Sequence, residues 1–104
     1  MTEAAFQKQV IKWARQLGWL VFHCATDSSR GRSVRGGGCG QGFPDLVLAH
    51  PQRGVIFAEL KTPRGRVSAA QKKWLGVLAR ADAHIAVWRP AHAGDIKRTL
   101  AGEA

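Results

Sequence analysis

The sequence predicts an α/β fold in which a mixed β-sheet is flanked by helices, in the order α-β-β-β-α-β-α. Helically spaced apolar residues open the chain and recur after Ser68, and runs of β-branched and aromatic residues lie between and beyond them. A helix between the last two strands favours a right-handed crossover and helices on both faces of the sheet. The 104 residues, 45% of them hydrophobic, are enough for one domain with one core, residues 1–104.

The first helix is predicted to be capped by Thr2 and to run to about Leu17, with Gly18 ending it. Its buried stripe recurs at helical spacing and consists of Phe6, Val10, Trp13, Ala14 and Leu17. Glu3 lies at the edge of this stripe. A carboxylate there either favours the helix N-terminus or points inward as a third acid of a metal site.

Residues 19–24 form the next predicted strand, and a polar, glycine-rich and basic loop follows over residues 25–42. Arg30, Arg32 and Arg35 lie on this loop, which fits a phosphate backbone or is a solvated connection. No G-K-[ST] follows its glycines, so it is not a nucleotide-binding loop and we expect no nucleotide cofactor. Cys24 and Cys39 lack the paired spacing of a structural zinc site.

The central stretch is G-F-P-D-L-V-L-A-H-P-Q-R-G-V-I-F-A-E-L-K, residues 42–61. It predicts two strands, residues 45–49 and 55–60, joined by a turn centred on Gln52. Asp45 and Glu59 are equidistant from that centre and therefore face each other, with Cβ atoms roughly 5 Å apart. Two carboxylates so placed repel by about 3 kcal/mol at an effective dielectric near 20.

This repulsion indicates a site for a divalent cation, which would bring the two carboxylates together favourably. Lys61 lies two residues beyond Glu59, so the strand pleat places it on the same face. A surface ion pair between Glu59 and Lys61 is the simpler interpretation, but it leaves Asp45 unexplained.

Ser68 and Gln71 form an S-x-x-Q capping box, which predicts a second helix starting there. Trp74, Leu75 and Leu78 make its apolar stripe, and Gln71 shares their face. The side chain of Gln71 serves the cap, the end of the preceding strand, or both. A strand over residues 84–88 follows, and Asp95 is expected to cap a short last helix ending at Leu100.

The charge balance points to a polyanionic partner: 16 Lys and Arg stand against 7 Asp and Glu, for a net charge of +9. Nucleic acid is the commonest such partner. No segment is apolar enough to span a bilayer and no signal peptide opens the chain, so we expect an intracellular, cytoplasmic protein and no membrane partner. The scattered histidines indicate no triad with Ser or Cys.

Four pieces of the chain carry a family resemblance: the leading Glu3, G-F-P-D at 42–45, E-L-K-T at 59–62, and S-A-A-Q-K-K-W-L at 68–75. In this order they resemble the VRR-NUC (virus-type replication-repair nuclease) family of the PD-(D/E)xK nucleases. The resemblance covers residues 3–90. It implies a restriction-endonuclease-like core and a phosphodiesterase acting on DNA with Mg²⁺ or Mn²⁺.

The resemblance assigns a role to each of these positions. Asp45 and Glu59 become metal ligands, Lys61 the catalytic lysine and Gln71 the motif glutamine beside it. Since Mg²⁺ keeps several waters, the backbone carbonyl of Leu60 would join the two carboxylates in a partial ligand shell, with Glu3 acting through water. Further candidate DNA contacts are Arg64, Arg66 and Lys72.

Short VRR-NUC members resemble junction resolvases, which implies a homodimer acting on branched DNA in repair, and the family name implies a phage or prophage source. Trp13, Trp19 and the last helix are candidates for the dimer face. A flap or nicking nuclease with the same site is a variant of this prediction. A basic DNA-binding module without catalysis is the alternative, although the two carboxylates would weaken its affinity for phosphate.

Overall fold

The computed structural model describes residues 2–23 and 41–103. Its elements are α1 (Glu3–Gln16), β1 (Leu20–His23), β2 (Leu46–His50), β3 (Gly54–Leu60), α2 (Ala69–Arg80), β4 (His84–Trp88), a 3-10 turn (Pro90–His92) and α3 (Ala93–Leu100). The strands form one sheet in the order β1-β2-β3-β4, antiparallel except for the parallel pair β3–β4. The predicted fold class and element order are confirmed.

The register of the β2–β3 hairpin is the one predicted from its sequence. Leu46 pairs with Ala58, and Leu48 pairs with Ile56, so the pairing is symmetric about Gln52. Continued by one residue, this register sets Asp45 opposite Glu59. The symmetric hairpin therefore brings together two carboxylates that are fourteen positions apart in the sequence.

One face of the sheet carries the main core. Alternate residues of β2 and β3 are buried there against α1 and α3, since side chains along a strand point to opposite faces. The cluster consists of Phe6, Val10, Ala14, Trp19, Leu46, Leu48, Ile56, Ala58, Leu60, Trp88, Ile96 and Leu100. This face supplies most of the apolar burial that holds the sheet in place.

The second face of the sheet is covered in part by α2. The ring of Phe43 packs edge-on against Phe57 of β3 and Trp74 of α2, with centroid distances of 6.2 and 5.0 Å. Farther across this face, Leu20 and Phe22 remain 76% and 55% exposed. The second face is therefore less completely buried than the first, and it is the face to which Glu59 belongs.

Helices α1 and α2 start with the capping residues predicted from the sequence. The Thr2 hydroxyl accepts a hydrogen bond from Ala5 N (3.1 Å), and Gly18 ends α1 with a φ of +89°. Ser68 and Gln71 form the reciprocal capping box of α2. Within α2, however, Trp74 is 37% exposed and only Leu75 is buried, so its apolar stripe is narrower than predicted.

Two predictions are wrong, one for Trp19 and one for the cap of α3. Trp19 was expected as a possible dimer face, but it is buried and its indole N–H donates to the carbonyl of Leu100 (2.8 Å). Asp95 does not cap α3, because Pro90 starts a 3-10 turn that leads directly into the helix at Ala93. Asp95 lies in the first turn instead, where it pairs with Arg98.

Three sets of predicted residues lie outside the described residues: the end of the first strand at Cys24, the second cysteine Cys39, and the loop arginines Arg30, Arg32 and Arg35. Within residues 2–23 and 41–103, the structure contains no helix that combines the length and apolar character needed to cross a bilayer.

The glycine of G-F-P-D is required by a close approach of two chain segments. Gly42 has a φ of +84°, and a Cβ at this position would lie 2.6 Å from the carbonyl oxygen of Ala70 in the first turn of α2. Gly42 thus lets α2 start close to the segment that leads into Asp45. Gly54 has a similar φ of +85°, but apart from its chain neighbours no atom of the described residues lies within 4 Å of its hypothetical Cβ.

We expect Gly42→Ala to lower the free energy of unfolding by about 3 kcal/mol, since both the left-handed backbone and the overpacking are unfavourable. Gly54→Ala is the matched control, because it retains only the backbone term and should lose about 1 kcal/mol. Urea unfolding of both variants measures the difference. Equal losses would show that α2 tolerates a side chain at Gly42.

Candidate active site

Glu59 is the centre of the candidate site. It lies on β3 between two core residues and therefore points to the second face, where it is 1% exposed. Its Oε2 accepts a hydrogen bond from Gln71 Nε2 (2.8 Å) and lies 3.4 Å from Lys61 Nζ. Its Oε1 is buried and has no hydrogen-bond partner among the described residues.

Asp45 approaches Glu59 from the adjacent strand, at the entrance to β2. Its Oδ2 accepts a hydrogen bond from the backbone N–H of Leu60 (2.8 Å), which fixes the carboxylate against the end of β3. Pro44 precedes it and is buried. Asp45 is thus held by the hydrogen bond from Leu60 and by the buried proline that precedes it, in the position that the hairpin register requires.

The surroundings of Glu59 favour its protonated form. Burial and then the neighbouring Asp45 carboxylate raise the pKa of Glu59 from 4.5 to about 7, against the opposing effect of Lys61. Glu59 therefore holds a proton in the metal-free protein over a range where an exposed glutamate is ionised. Perturbed carboxylates of this kind are concentrated at functional sites.

Gln71 performs both of the tasks that its sequence context suggested. Its Oε1 accepts from the backbone N–H of Ser68 (2.8 Å) and its Nε2 donates to Glu59. In return, Ser68 Oγ accepts from the backbone N–H of Gln71 (3.1 Å). One amide side chain therefore joins the start of α2 to the buried carboxylate.

Lys61 continues β3 beyond its last assigned residue. Its backbone N–H donates to the carbonyl of Trp88 on β4 (2.9 Å), and its side chain is only 13% exposed. The same-face placement of Glu59 and Lys61 that the pleat predicts is confirmed by their ion pair. Because the side chain is shielded on a fixed strand, the ammonium group is held beside the Glu59 carboxylate.

Comparison with known families adds an independent observation. A model of the VRR-NUC domain matches residues 3–91, which is most of the chain. The chain belongs to the VRR-NUC family. This is a nuclease family, and it is the family that the four sequence motifs resemble. Comparison with curated proteins and with solved structures finds no match.

In this VRR-NUC domain, the buried Oε1 of Glu59 is the clearest sign of a missing partner. A buried carboxylate oxygen without a donor is unfavourable, and a cation is one group that would satisfy it. Asp45 and Glu59 thus fit a divalent cation as a partial, all-oxygen ligand set. Among residues 2–23 and 41–103, no group of three or more His, Cys, Asp or Glu side chains is arranged to hold a metal.

Glu3 is therefore not part of a direct ligand group with the other two acids. It is exposed at the first position of α1. The action of Glu3 through water stays a prediction. Ligation of the metal by the backbone carbonyl of Leu60 also stays a prediction. Of the predicted DNA contacts within the described chain, Arg64, Arg66 and Lys72 are all exposed.

Arg89 is a residue of the VRR-NUC domain whose contribution the sequence did not reveal. Its Nη1 donates to the carbonyls of Thr62 and Gly65, at 2.7 Å each. It thereby fixes the turn that leaves Lys61 and carries the exposed Arg64. In the sequence it reads only as the residue that closes β4 before Pro90, and no local pattern indicates a contact 27 positions away.

The raised pKa of Glu59 makes the metal-free protein pH-dependent. The folded protein keeps a proton that the unfolded chain releases, so the free energy of unfolding should fall by about 3 kcal/mol as pH rises from about 4.5 to 7. Asp45→Asn removes one cause of the shift and keeps an acceptor for Leu60 N–H. We expect this variant to be more stable than wild type at pH 8 in EDTA, with a shallower pH dependence.

Urea unfolding in EDTA between pH 4 and 8 checks this expectation. Glu103→Gln is the control, since it removes an exposed negative charge near the C-terminus. A destabilised Asp45→Asn, or an unchanged pH dependence, would contradict mutual repulsion of the two carboxylates.

Proposed function

We propose that this VRR-NUC protein is a divalent-metal-dependent DNA endonuclease that hydrolyses phosphodiester bonds. The observation that carries the proposal is the buried Glu59 carboxylate, with one oxygen unpartnered, held beside Asp45, Lys61 and Gln71. A site built only for stability would not bury one acid beside a second acid that repels it. The net charge of +9 supports DNA as the substrate.

Asp45 and Glu59 would hold the cation, which we propose to be Mg²⁺ or Mn²⁺ because both prefer carboxylate oxygens and retain water. Such an ion, when bound, supplies positive charge that offsets the charge growing on the phosphoryl oxygens. The neighbouring charge of the cation also favours the ionised form of Glu59. The elevated pKa is therefore a property of the metal-free protein.

The chain's own groups perform the remaining tasks. The ammonium of Lys61 stands 3.4 Å from Glu59 and orients the attacking water or offsets developing charge on the phosphate. Gln71 holds the Glu59 carboxylate in position through its amide N–H. Arg89 acts one step further away, since it fixes the turn that follows Lys61 and so positions the lysine.

We further propose a homodimer that acts on branched DNA. The support is the resemblance of short VRR-NUC family members to junction resolvases, together with the exposed apolar residues on the second sheet face. Leu20, Phe22 and Val55 share that face, because Leu20 pairs with Ala49, which pairs with Val55. Two copies of one apolar surface are self-complementary across a twofold axis, and two sites so related suit a symmetric four-way junction.

We expect Lys61→Ala to lose at least about 10²-fold in the cleavage rate, since removal of one stabilising group at a reacting phosphate has an effect of this size. The assay uses labelled four-way, flap and linear duplex DNA, each with Mg²⁺, Mn²⁺ or EDTA. Lys73→Ala, an exposed lysine of α2, is the control and should cleave as wild type does.

Paired symmetric cuts in the junction would support a resolvase, and cuts only in the flap would replace this substrate with flap DNA. Salt-sensitive binding without any metal-dependent product would overturn the nuclease proposal. It would leave a basic DNA-binding module.

The proposed dimer has a separate prediction. Leu20→Ser combined with Phe22→Ser should give a monomer by analytical ultracentrifugation while changing the melting temperature of the subunit little, since both side chains are exposed. Leu17→Ser, at the exposed residue that directly follows α1, is the control and should leave the dimer intact. A wild-type monomer at micromolar concentration would contradict the dimer.

A further inference from the structure

Helix α1 carries a basic stripe that the proposed active site does not use. Lys8, Lys12 and Arg15 are exposed at spacings of four and three residues, which places them on one helical face. Together with Ile11, Gln16 and His23 they line an open groove of about 540 Å³ between α1 and β1.

The composition of this groove is not explained by folding. Among the described residues that line it none is acidic, and the only acid of α1 is Glu3, at the opposite end of the helix from Arg15. Like charges at positions i and i+4 destabilise a helix by a few tenths of a kcal/mol. A helix that only had to fold would alternate these lysines with glutamates, so the stripe indicates an anionic partner.

The strand register places His23, the β1 residue of the groove, at the end of the sheet that carries Glu59, although on the opposite face. His23 pairs with Leu46, and Leu46 pairs in turn with Ala58, the neighbour of Glu59. At about 4.8 Å between strands, His23 lies roughly 10 Å across the sheet from the β3 position next to the buried carboxylate. His23 shares the face of Leu46, which is the face that α1 covers.

The dimensions of the stripe suit a nucleic-acid backbone. Seven residues of helix separate Lys8 from Arg15, which is about 10 Å along the axis. Successive phosphates of one DNA strand are spaced by about 3.4 Å along the duplex, so the stripe spans roughly three of them. The groove is also open, as contact with a long polyanion requires.

An anionic membrane would need apolar side chains beside the cations, ready to enter the lipid. On α1 the apolar residues Phe6, Val10 and Ala14 are buried in the core instead. Ile11, the apolar residue of the groove, is partly buried against the same core. Among the described residues the groove therefore offers three cations without a fully exposed apolar side chain, which favours DNA over a lipid surface.

We propose that Lys8, Lys12 and Arg15 bind the phosphate backbone of a DNA arm that extends from the active site across the β1 edge. The inference rests on DNA being the substrate, and it adds a second contact surface to the one around Arg64, Arg66 and Lys72. It assigns to α1 the task of holding the duplex outside the cleavage site.

The test measures how binding of a labelled DNA duplex depends on salt, in EDTA so that no cleavage occurs. Each lost phosphate contact lowers the slope of log K against log salt by about 0.9. Lys8→Gln with Lys12→Gln should lower the slope by about two, whereas Lys8→Arg with Lys12→Arg should keep it. The matched control, Lys73→Gln with Arg80→Gln, removes two exposed cations from α2 and should leave the slope near that of wild type.

Arg15→Gln is an independent variant and should lower the slope by about one. Equal slopes for the α1 and α2 double variants would overturn the inference, whether or not wild type cleaves DNA. The cleavage assay is separate: a wild type that binds DNA with the expected slope but never cleaves it would overturn only the nuclease proposal. Loss of binding to phosphatidylserine vesicles, with DNA binding unchanged, would assign the stripe to a membrane instead.

Discussion

The rest of this structure depends on one constraint, which is the contact of the Glu59 carboxylate with Asp45, Lys61 and Gln71. Glu59 is almost completely buried, yet one of its oxygens has no hydrogen-bond partner among the described residues. Such a group is destabilising by itself. The fold tolerates the buried Glu59 because β3, the paired strand β2 and α2 each fix one side of the carboxylate. The extensive apolar burial on the opposite sheet face offsets the unfavourable free energy.

The two faces of the sheet therefore have different tasks. The first face is an apolar cluster between the sheet and helices α1 and α3, and it stabilises the fold. The second face carries Glu59, a partial cover by α2 and several exposed apolar side chains. Strand alternation is what allows one strand to serve both faces: Ala58 and Leu60 belong to the core while Glu59, between them, belongs to the site.

Much of this arrangement could be predicted from the sequence, because it is specified locally. The hairpin register follows from a short turn, and the capping box from residues three apart; together they place Asp45, Glu59, Lys61 and Gln71. The predictions that depend on distant partners were less successful. Trp19 is buried because Leu100, 81 positions away, accepts its N–H bond. Arg89 fixes the turn after Lys61 through contacts that no sequence pattern indicates, and the start of α3 depends on the 3-10 turn before it.

The double use of the Gln71 amide has a consequence for dynamics. The first turn of a helix is where opening costs least, and transient fraying there is far more frequent than global unfolding. Each such opening would withdraw the Gln71 amide from Glu59, because the same side chain closes the cap at Ser68. The order of the Glu59 carboxylate is thereby limited by the local opening equilibrium of one helix terminus and not by the stability of the whole domain. Amide hydrogen exchange at the start of α2 would report directly on the fraction of molecules whose site is assembled.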